Sequence, residues 1–211
     1  IVPGPQHVKK GERDKLGGWN ANGIIRAWTA GELARMIDTT QPDVLYIFEI
    51  KCSVMDILEK IPDLRPYLAN HGYNAYFFWC EDPGGNAYKW GSMLITKELP
   101  TRIQFGFGEG HEDLDKEGRF IAADFKHYTT DGNYTPCSGW DSVGEEPRRM
   151  EYDAARLKDC KNKRRHISIG DNNCAMRRSD SSIQRAPEKL PGCKKWERAN
   201  MIKLLQDGQL T

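Results

Sequence analysis

The run Val44-Leu45-Tyr46-Ile47-Phe48, apolar without interruption and closed by the carboxylate of Glu49, most constrains what this chain can fold into. Such a run leaves no polar face, so as a strand it must be covered on both sides, as strands inside an α/β architecture are. The flanking sequence supplies the covers. Leu33, Ala34, Met36 and Ile37 suit a short amphipathic helix within 29–37, ended by Asp38-Thr39-Thr40-Gln41-Pro42 because the residue before proline disfavours the helical region. A second helix is expected from Val54 to about Leu58, ahead of Pro62 and Pro66. Residues 75–79, 92–95, 120–125 and 166–169 read as strands, and 149–157 and 195–205 as helices. Strands and helices therefore alternate, without a repeat or a low-complexity linker.

The core that these elements can build is thin. Of 211 residues 38% are hydrophobic and the mean hydropathy is -0.70, so either little apolar surface is buried or partners cover it. Residues 1–17, rich in Pro, Gly and Lys, read as a flexible N-terminal arm, with structure starting near Trp19 and one domain over 18–211. No apolar stretch approaches the roughly 18 residues of a membrane span, and residues 1–10 lack the pattern of a signal peptide. An intracellular chain, nuclear or mitochondrial, is expected. The six cysteines are widely spread with no C-x-x-C pair, which favours free thiols over a disulfide framework or a zinc finger. A net charge of +1 gives no global field toward nucleic acid, so such binding would rest on local patches. Asn133-Tyr134-Thr135 is a glycosylation sequon that would matter only after secretion.

The informative polar residues stand where strands end. Asn20 and Asn22 sit at alternate positions, on one side of an extended segment. Glu49 closes the 44–48 strand, Tyr134 precedes the rigid Thr135-Pro136 turn, and Gly170-Asp171-Asn172-Asn173 follows the 166–169 strand. Together they offer a ligand for a hard cation, a general base and neutral donors for an oxyanion. That set suits magnesium-assisted phosphodiester hydrolysis, since magnesium takes few carboxylates and keeps several waters.

The series Asn20-Ala21-Asn22-Gly23-Ile24-Ile25-Arg26-Ala27, Glu49-Ile50-Lys51-Cys52-Ser53, Glu117-Gly118-Arg119-Phe120-Ile121, Tyr134-Thr135-Pro136 and Gly170-Asp171-Asn172-Asn173 resembles the exonuclease III class of AP endonucleases, within the endonuclease/exonuclease/phosphatase superfamily. Arg149-Met150-Glu151-Tyr152, Asp180 and Trp196-Glu197-Arg198 are smaller echoes of it. The resemblance implies a four-layer α/β sandwich with two mixed sheets. It implies that Glu49 holds magnesium with Asn22 beside it, that Asp171 is the base, and that Asn173, Tyr134 and Asn20 complete the catalytic group. Arg119, Trp140 and Cys137 would lie on the substrate side, and the product would be a nick 5′ to an abasic sugar.

Three departures from the family pattern oppose activity. The terminal elements of the sandwich, with the final Ser-Asp-His motif, are expected to be missing from this chain. Cys137 stands where Asn is expected, and a thiol cannot replace an amide's donor and acceptor. Thr129-Thr130-Asp131-Gly132 and Asn172 replace apolar residues, which requires partners for buried polar groups or an exposed sheet. Two readings follow: a catalytically impaired domain serving as a subunit or scaffold, needing no cofactor, or an active magnesium-dependent abasic-site endonuclease whose remainder is supplied elsewhere. On either reading, strands 44–48 and 120–125 would leave an uncovered face and an open edge for another protein subunit, with DNA or RNA as a further partner.

Overall fold

The computed structural model describes residues 14–81, 89–139, 145–163, 165–180, 188–208 and 210. Its elements run β1 (Leu16–Asn20), α1 (Ile24–Thr29), α2 (Glu32–Thr40), β2 (Val44–Phe48), α3 (Val54–Lys60), α4 (Leu64–Asn70), β3 (Asn74–Phe78) and β4 (Ser92–Thr96). Then follow β5 (Arg102–Phe105), α5 (Glu112–Asp115), β6 (Phe120–Asp124), β7 (Thr129–Tyr134), α6 (Glu145–Lys161), β8 (His166–Asp171), a 3-10 turn at Arg178–Asp180 and α7 (Lys195–Asp207). Among the described residues regular structure begins at Leu16, inside the stretch expected to be an arm. The helix expected within 29–37 is α2, which starts after Gly31 at φ 69° and runs on to Thr40, while α1 ahead of it was not expected. Pro66 lies in the first turn of α4, where its missing N–H costs no helical hydrogen bond.

Two four-stranded sheets form, ordered β1-β2-β4-β3 and β5-β6-β7-β8. Each is mixed: β1 with β2 and β7 with β8 are parallel, and the other pairs are antiparallel. Leu45, Ile47, Met93 and Ile95 face α1 to α4, burying Ile24, Leu33, Ile37, Ile57, Leu64 and Leu68. The opposite face, with Val44, Tyr46, Phe48 and Leu94, meets Ile121, Ala123 and Phe125 of the second sheet. Helices outside two stacked sheets make the four-layer α/β sandwich.

The all-apolar β2 is explained by this position, since every one of its residues is buried. The expected exposure of 44–48 and 120–125 is therefore corrected: β2 and β6 are interior strands, and their faces are covered by the chain itself. Among the described residues the outer strands are β1, β3, β5 and β8, and β5 and β8 expose Phe105 and Ile167. No helix among the described residues is long and apolar enough to cross a membrane. No disulfide forms among them either.

The polar sequence of β7 is satisfied within the chain rather than at a partner or in water. Thr130 faces the inter-sheet core, where its hydroxyl meets that of Tyr46 at 2.8 Å. Asp131 and Asn133 point the other way, toward α6. Ser168 donates to Asp131 at 2.8 Å, and Asn133 donates to the Ile169 carbonyl at 3.2 Å. The sequon asparagine is fully buried in this strand, which rules it out as a glycosylation acceptor in the folded chain.

Gly132 is required by the same inter-sheet contact. A Cβ there would stand 2.0 Å from the Tyr46 ring. Gly132→Ala should destabilise the chain by about 1–3 kcal/mol through overpacking, read from the midpoint of urea unfolding at unchanged slope.

Candidate active site

Two pairs of parallel strands deliver the expected residues to one end of the sandwich. β1 and β2 run in register with Asn20 opposite Phe48, so Asn20 and Glu49 leave the first sheet side by side. β7 and β8 pair Tyr134 with Asp171 at the same end of the second. The segment after β2 is stitched to the one after β1 by backbone bonds: Gly23 N–H to the Glu49 carbonyl at 2.8 Å and Ile24 N–H to the Ile50 carbonyl at 3.0 Å. These bonds hold backbone that other residues would avoid. Asn22, Glu49, Lys51 and Asn173 take φ of 46°, 53°, 49° and 43°. They are four of the six described non-glycine residues in the left-handed region, and such strain gathers where surrounding structure over-determines it.

Asn20 is the hinge of the side-chain arrangement. Its amide nitrogen donates to Glu49 Oε1 at 2.6 Å and to Asp171 Oδ2 at 3.0 Å, so one neutral donor bridges the carboxylates of the two sheets. Its oxygen accepts the Asn22 backbone N–H at 3.0 Å. Tyr134 hydrogen-bonds Glu49 through its hydroxyl. Burial pushes the Tyr134 phenol up, and the neighbouring Glu49 carboxylate adds to that, so the phenol stays protonated and acts as a donor. Burial also pushes the Glu49 carboxyl up, but the hydrogen bonds from Lys51, Asn20 and Tyr134 outweigh it and hold the group below its ordinary value. Asn173 donates to the Thr135 carbonyl at 2.8 Å, and its backbone N–H reaches Asp171 Oδ1 at 3.2 Å.

The ammonium of Lys51 lies 2.6 Å from Glu49 Oε2 and donates to Asn22 Oδ1 at 2.5 Å. It stands in for a cation between the two oxygen donors that the sequence assigns to magnesium. The donor set therefore fits a hard cation that displaces this ammonium, with Glu49 and Asn22 as the protein ligands. Asn20 separates the carboxylates instead of offering its oxygen.

Arg119 is buried behind Tyr134. Its guanidinium stacks 4.7 Å from the Tyr134 ring and 4.4 Å from Trp90, and it forms a salt bridge with Glu117. That location makes it a support for the phenol rather than a group facing substrate. The Cys137 thiol is exposed, next to Pro136. Trp140 lies outside the described residues. Sequence reasoning assigned no role to Lys51 or Arg149. Lys51 stands two residues after Glu49 within the quoted motif, which was the available signal. Arg149 was visible only as a helix-start echo; it is buried and donates to the carbonyls of Pro136, Asn172 and Asn173 at 2.9, 3.1 and 3.3 Å.

Two predictions follow from these contacts. Lys51→Met should tighten magnesium binding and Glu49→Gln should weaken it, each by about tenfold or more, in calorimetric titrations; equal affinities in all three proteins would show that the cation binds elsewhere. Arg149→Ala leaves buried carbonyls and carboxylates without their donor, and should cost about 3–5 kcal/mol in chemical unfolding.

No family model matches the sequence. The chain is 29% identical over 194 residues to Recombination repair protein 1 of Drosophila melanogaster, covering 90% of this chain and 26% of that protein. It is 26% identical over 197 residues to DNA repair nuclease APEX1 of Danio rerio, covering 92% of this chain and 60% of that one. The chain thus spans less than two thirds of these relatives. The fold superposes on an AP endonuclease from Archaeoglobus fulgidus with a TM-score of 0.72 at 20% identity, over 92% of this chain and 70% of that one. The quoted motifs and these likenesses make the chain similar in sequence to exonuclease III/AP endonuclease proteins, and the two mixed sheets give it the fold of an AP endonuclease.

Proposed function

We propose that this chain is a DNA-directed phosphodiesterase domain of AP endonuclease type whose turnover on its own is impaired, so that it serves chiefly as a binding or scaffold subunit of a larger assembly. The observation that carries the hydrolytic part is the Asn20 amide held between Glu49 and Asp171. It fixes a carboxylate on each sheet while keeping the two apart, so one can ligate a cation while the other accepts a proton. Asp171 orients and deprotonates the attacking water, the Asn173 amide donates its free N–H to the phosphate, and the Tyr134 hydroxyl donates to it once a cation on Glu49 releases that proton. Magnesium, held by Glu49 and Asn22, would supply stabilisation of charge on the leaving oxygen. The relatives named for DNA repair support DNA as the substrate.

One observation supports impairment: Cys137 brings no amide to the loop after Tyr134. Loss of one comparable donor commonly lowers rate by about 10²–10³. The specific observation favouring full activity is that Asn20, Glu49, Tyr134 and Asp171 are assembled in one site.

The test is nicking of an abasic-site duplex with magnesium, beside binding of the same duplex measured by anisotropy. The expected result is salt-dependent binding, and nicking at least about 10²-fold slower than the 1–10³ s⁻¹ usual for enzymes, abolished by Asp171→Asn. Nicking within that usual range would overturn impairment. Absence of both duplex binding and Asp171-dependent nicking would overturn the proposed function.

A further inference from the structure

The layer between the second sheet and α6 is unusually polar, and one part of it is not used by the site above. Asp131 on β7, His166 on β8 and Cys160 on α6 converge there, at the far end of β7 and β8 from Tyr134 and Asp171. Asp131 is 0% exposed, Cys160 1%, and the His166 side chain 4%.

We propose that Asp131, His166 and Cys160 form a binding site for one divalent cation of zinc type, separate from the Glu49 site and structural in role. The three residues offer a carboxylate oxygen, an imidazole nitrogen and a thiol sulfur, all within 4.8 Å of one another. Ligand bonds of about 2.0–2.3 Å to a tetrahedral zinc set donor atoms about 3.3–3.8 Å apart, so the thiol closes in and the imidazole swings off the Asp131 oxygen it touches, both by side-chain rotation. The mixture also selects the metal: a sulfur donor favours zinc or cobalt, whereas magnesium demands oxygen.

A second observation points the same way. His166 Nε2 lies against Asp131 Oδ2, while His166 Nδ1 is buried with no hydrogen-bond partner. Buried polar atoms are nearly always paired, so an imidazole with one unused nitrogen in an enclosed site calls for an occupant. The surroundings already hold the ligands in place. Ser168 donates to Asp131 Oδ1 at 2.8 Å, and Arg156 fixes Ser168 at 3.0 Å and Asn172 at 2.7 Å, the outer-shell support that metal ligands need. Burial pushes the Cys160 thiol up to about 12, so the cation has to displace a firmly held proton, which leaves to solvent, and Asp131 with the resulting thiolate then carries two negative charges against it. Arg156 and Lys163 are the opposing cations, the first bonded to Ser168 and Asn172 and the second paired with Asp159. Joining β7, β8 and α6 through one ion would stabilise the folded chain by mass action, because the three ligands converge only when it is folded.

The full chain, stripped with a chelator, is titrated with cobalt(II) while millimolar magnesium is present. The expected result is one equivalent bound, with visible bands of a four-coordinate ion and a thiolate-to-cobalt charge-transfer band. The bands persist in Cys52→Ala and disappear in Cys160→Ala, while Asp131→Asn weakens binding at least tenfold. Zinc raises the thermal midpoint of the unmodified chain. Should the variants fail to fold, X-ray absorption on the unmodified zinc-loaded chain decides: one sulfur neighbour with nitrogen and oxygen supports the site. Absence of the bands in the unmodified chain, bands unchanged in Cys160→Ala, or a zinc shell without sulfur would overturn it. None of these readouts depends on nuclease activity.

Discussion

The guanidinium of Arg149 is the contact on which the arrangement of the second half of the site depends. It sits in α6, 2% exposed, and reaches across to the carbonyls of Pro136, Asn172 and Asn173. Those carbonyls belong to the two turns that carry Tyr134 and Asp171 out of adjacent parallel strands. Turns at strand ends have no ladder to fix them, and buried carbonyls without donors are costly, so one multidentate cation solves both problems. Its own charge is answered by Asp153 at 2.9 Å and by Glu197 of α7 at 3.9 Å. Glu197 in turn accepts the Gly192 and Lys194 backbone N–H groups that open α7. The outer helices therefore hold the site through hydrogen bonds, beyond covering the sheet.

The same logic accounts for the composition. The first sheet meets its helices through a continuous apolar cluster from Ile24 to Ile95, whereas beneath α6 the apolar cluster is small, built on Leu114, Tyr152 and Ala155. Asp131, Asn133, Ser168, Asn172, Arg149 and Arg156 fill the rest. A mean hydropathy of -0.70 is thus the signature of one apolar and one hydrogen-bonded helix layer in the same molecule. Each buried polar group would cost roughly 1–3 kcal/mol if unpaired, so such a layer is stable only when its members are matched, as Asp131 with Ser168 and Arg156 with Asn172 are.

This division also decides what could be read from the sequence. The centre of the first sheet was legible: β2 and β4 are short apolar runs, and their strands fall within a residue of where those runs and the flanking turn residues put them. β7 was not legible by propensity, because Thr-Thr-Asp-Gly-Asn-Tyr carries turn residues and no apolar period. Its strand depends on a neighbouring strand on each side and on α6 for partners, all non-local. β5 was missed since it is a short outer strand with exposed ends at Arg102 and Phe105. At the site, residue types at strand ends marked Asn20, Glu49, Tyr134 and Asp171, because a side chain's place at the end of a strand is a local property. What sequence could not show was the geometry between sheets: the Asn20 amide shared by Glu49 and Asp171, 151 positions away, or the Lys51 ammonium over Glu49.

The backbone explains how the site tolerates unusual side chains. Asn22, Glu49 and Lys51 are held in the left-handed region, each at an intrinsic cost of about 1–2 kcal/mol, by bonds among Gly23, Ile24, Glu49 and Ile50 and by the Lys51 N–H to the Trp90 carbonyl at 3.0 Å. None of those bonds involves a side chain. The backbone frame at Glu49 therefore does not depend on whether position 22 carries an amide or an acid, whereas the Asn20 amide is needed to hold the Glu49 side chain. With Asn at both, the negative charge facing a cation is reduced to Glu49, and Lys51 is sufficient to neutralise it. Charge at position 22 can vary while the backbone stays fixed, whereas at position 20 the amide sets both the charge and the spacing of the two carboxylates.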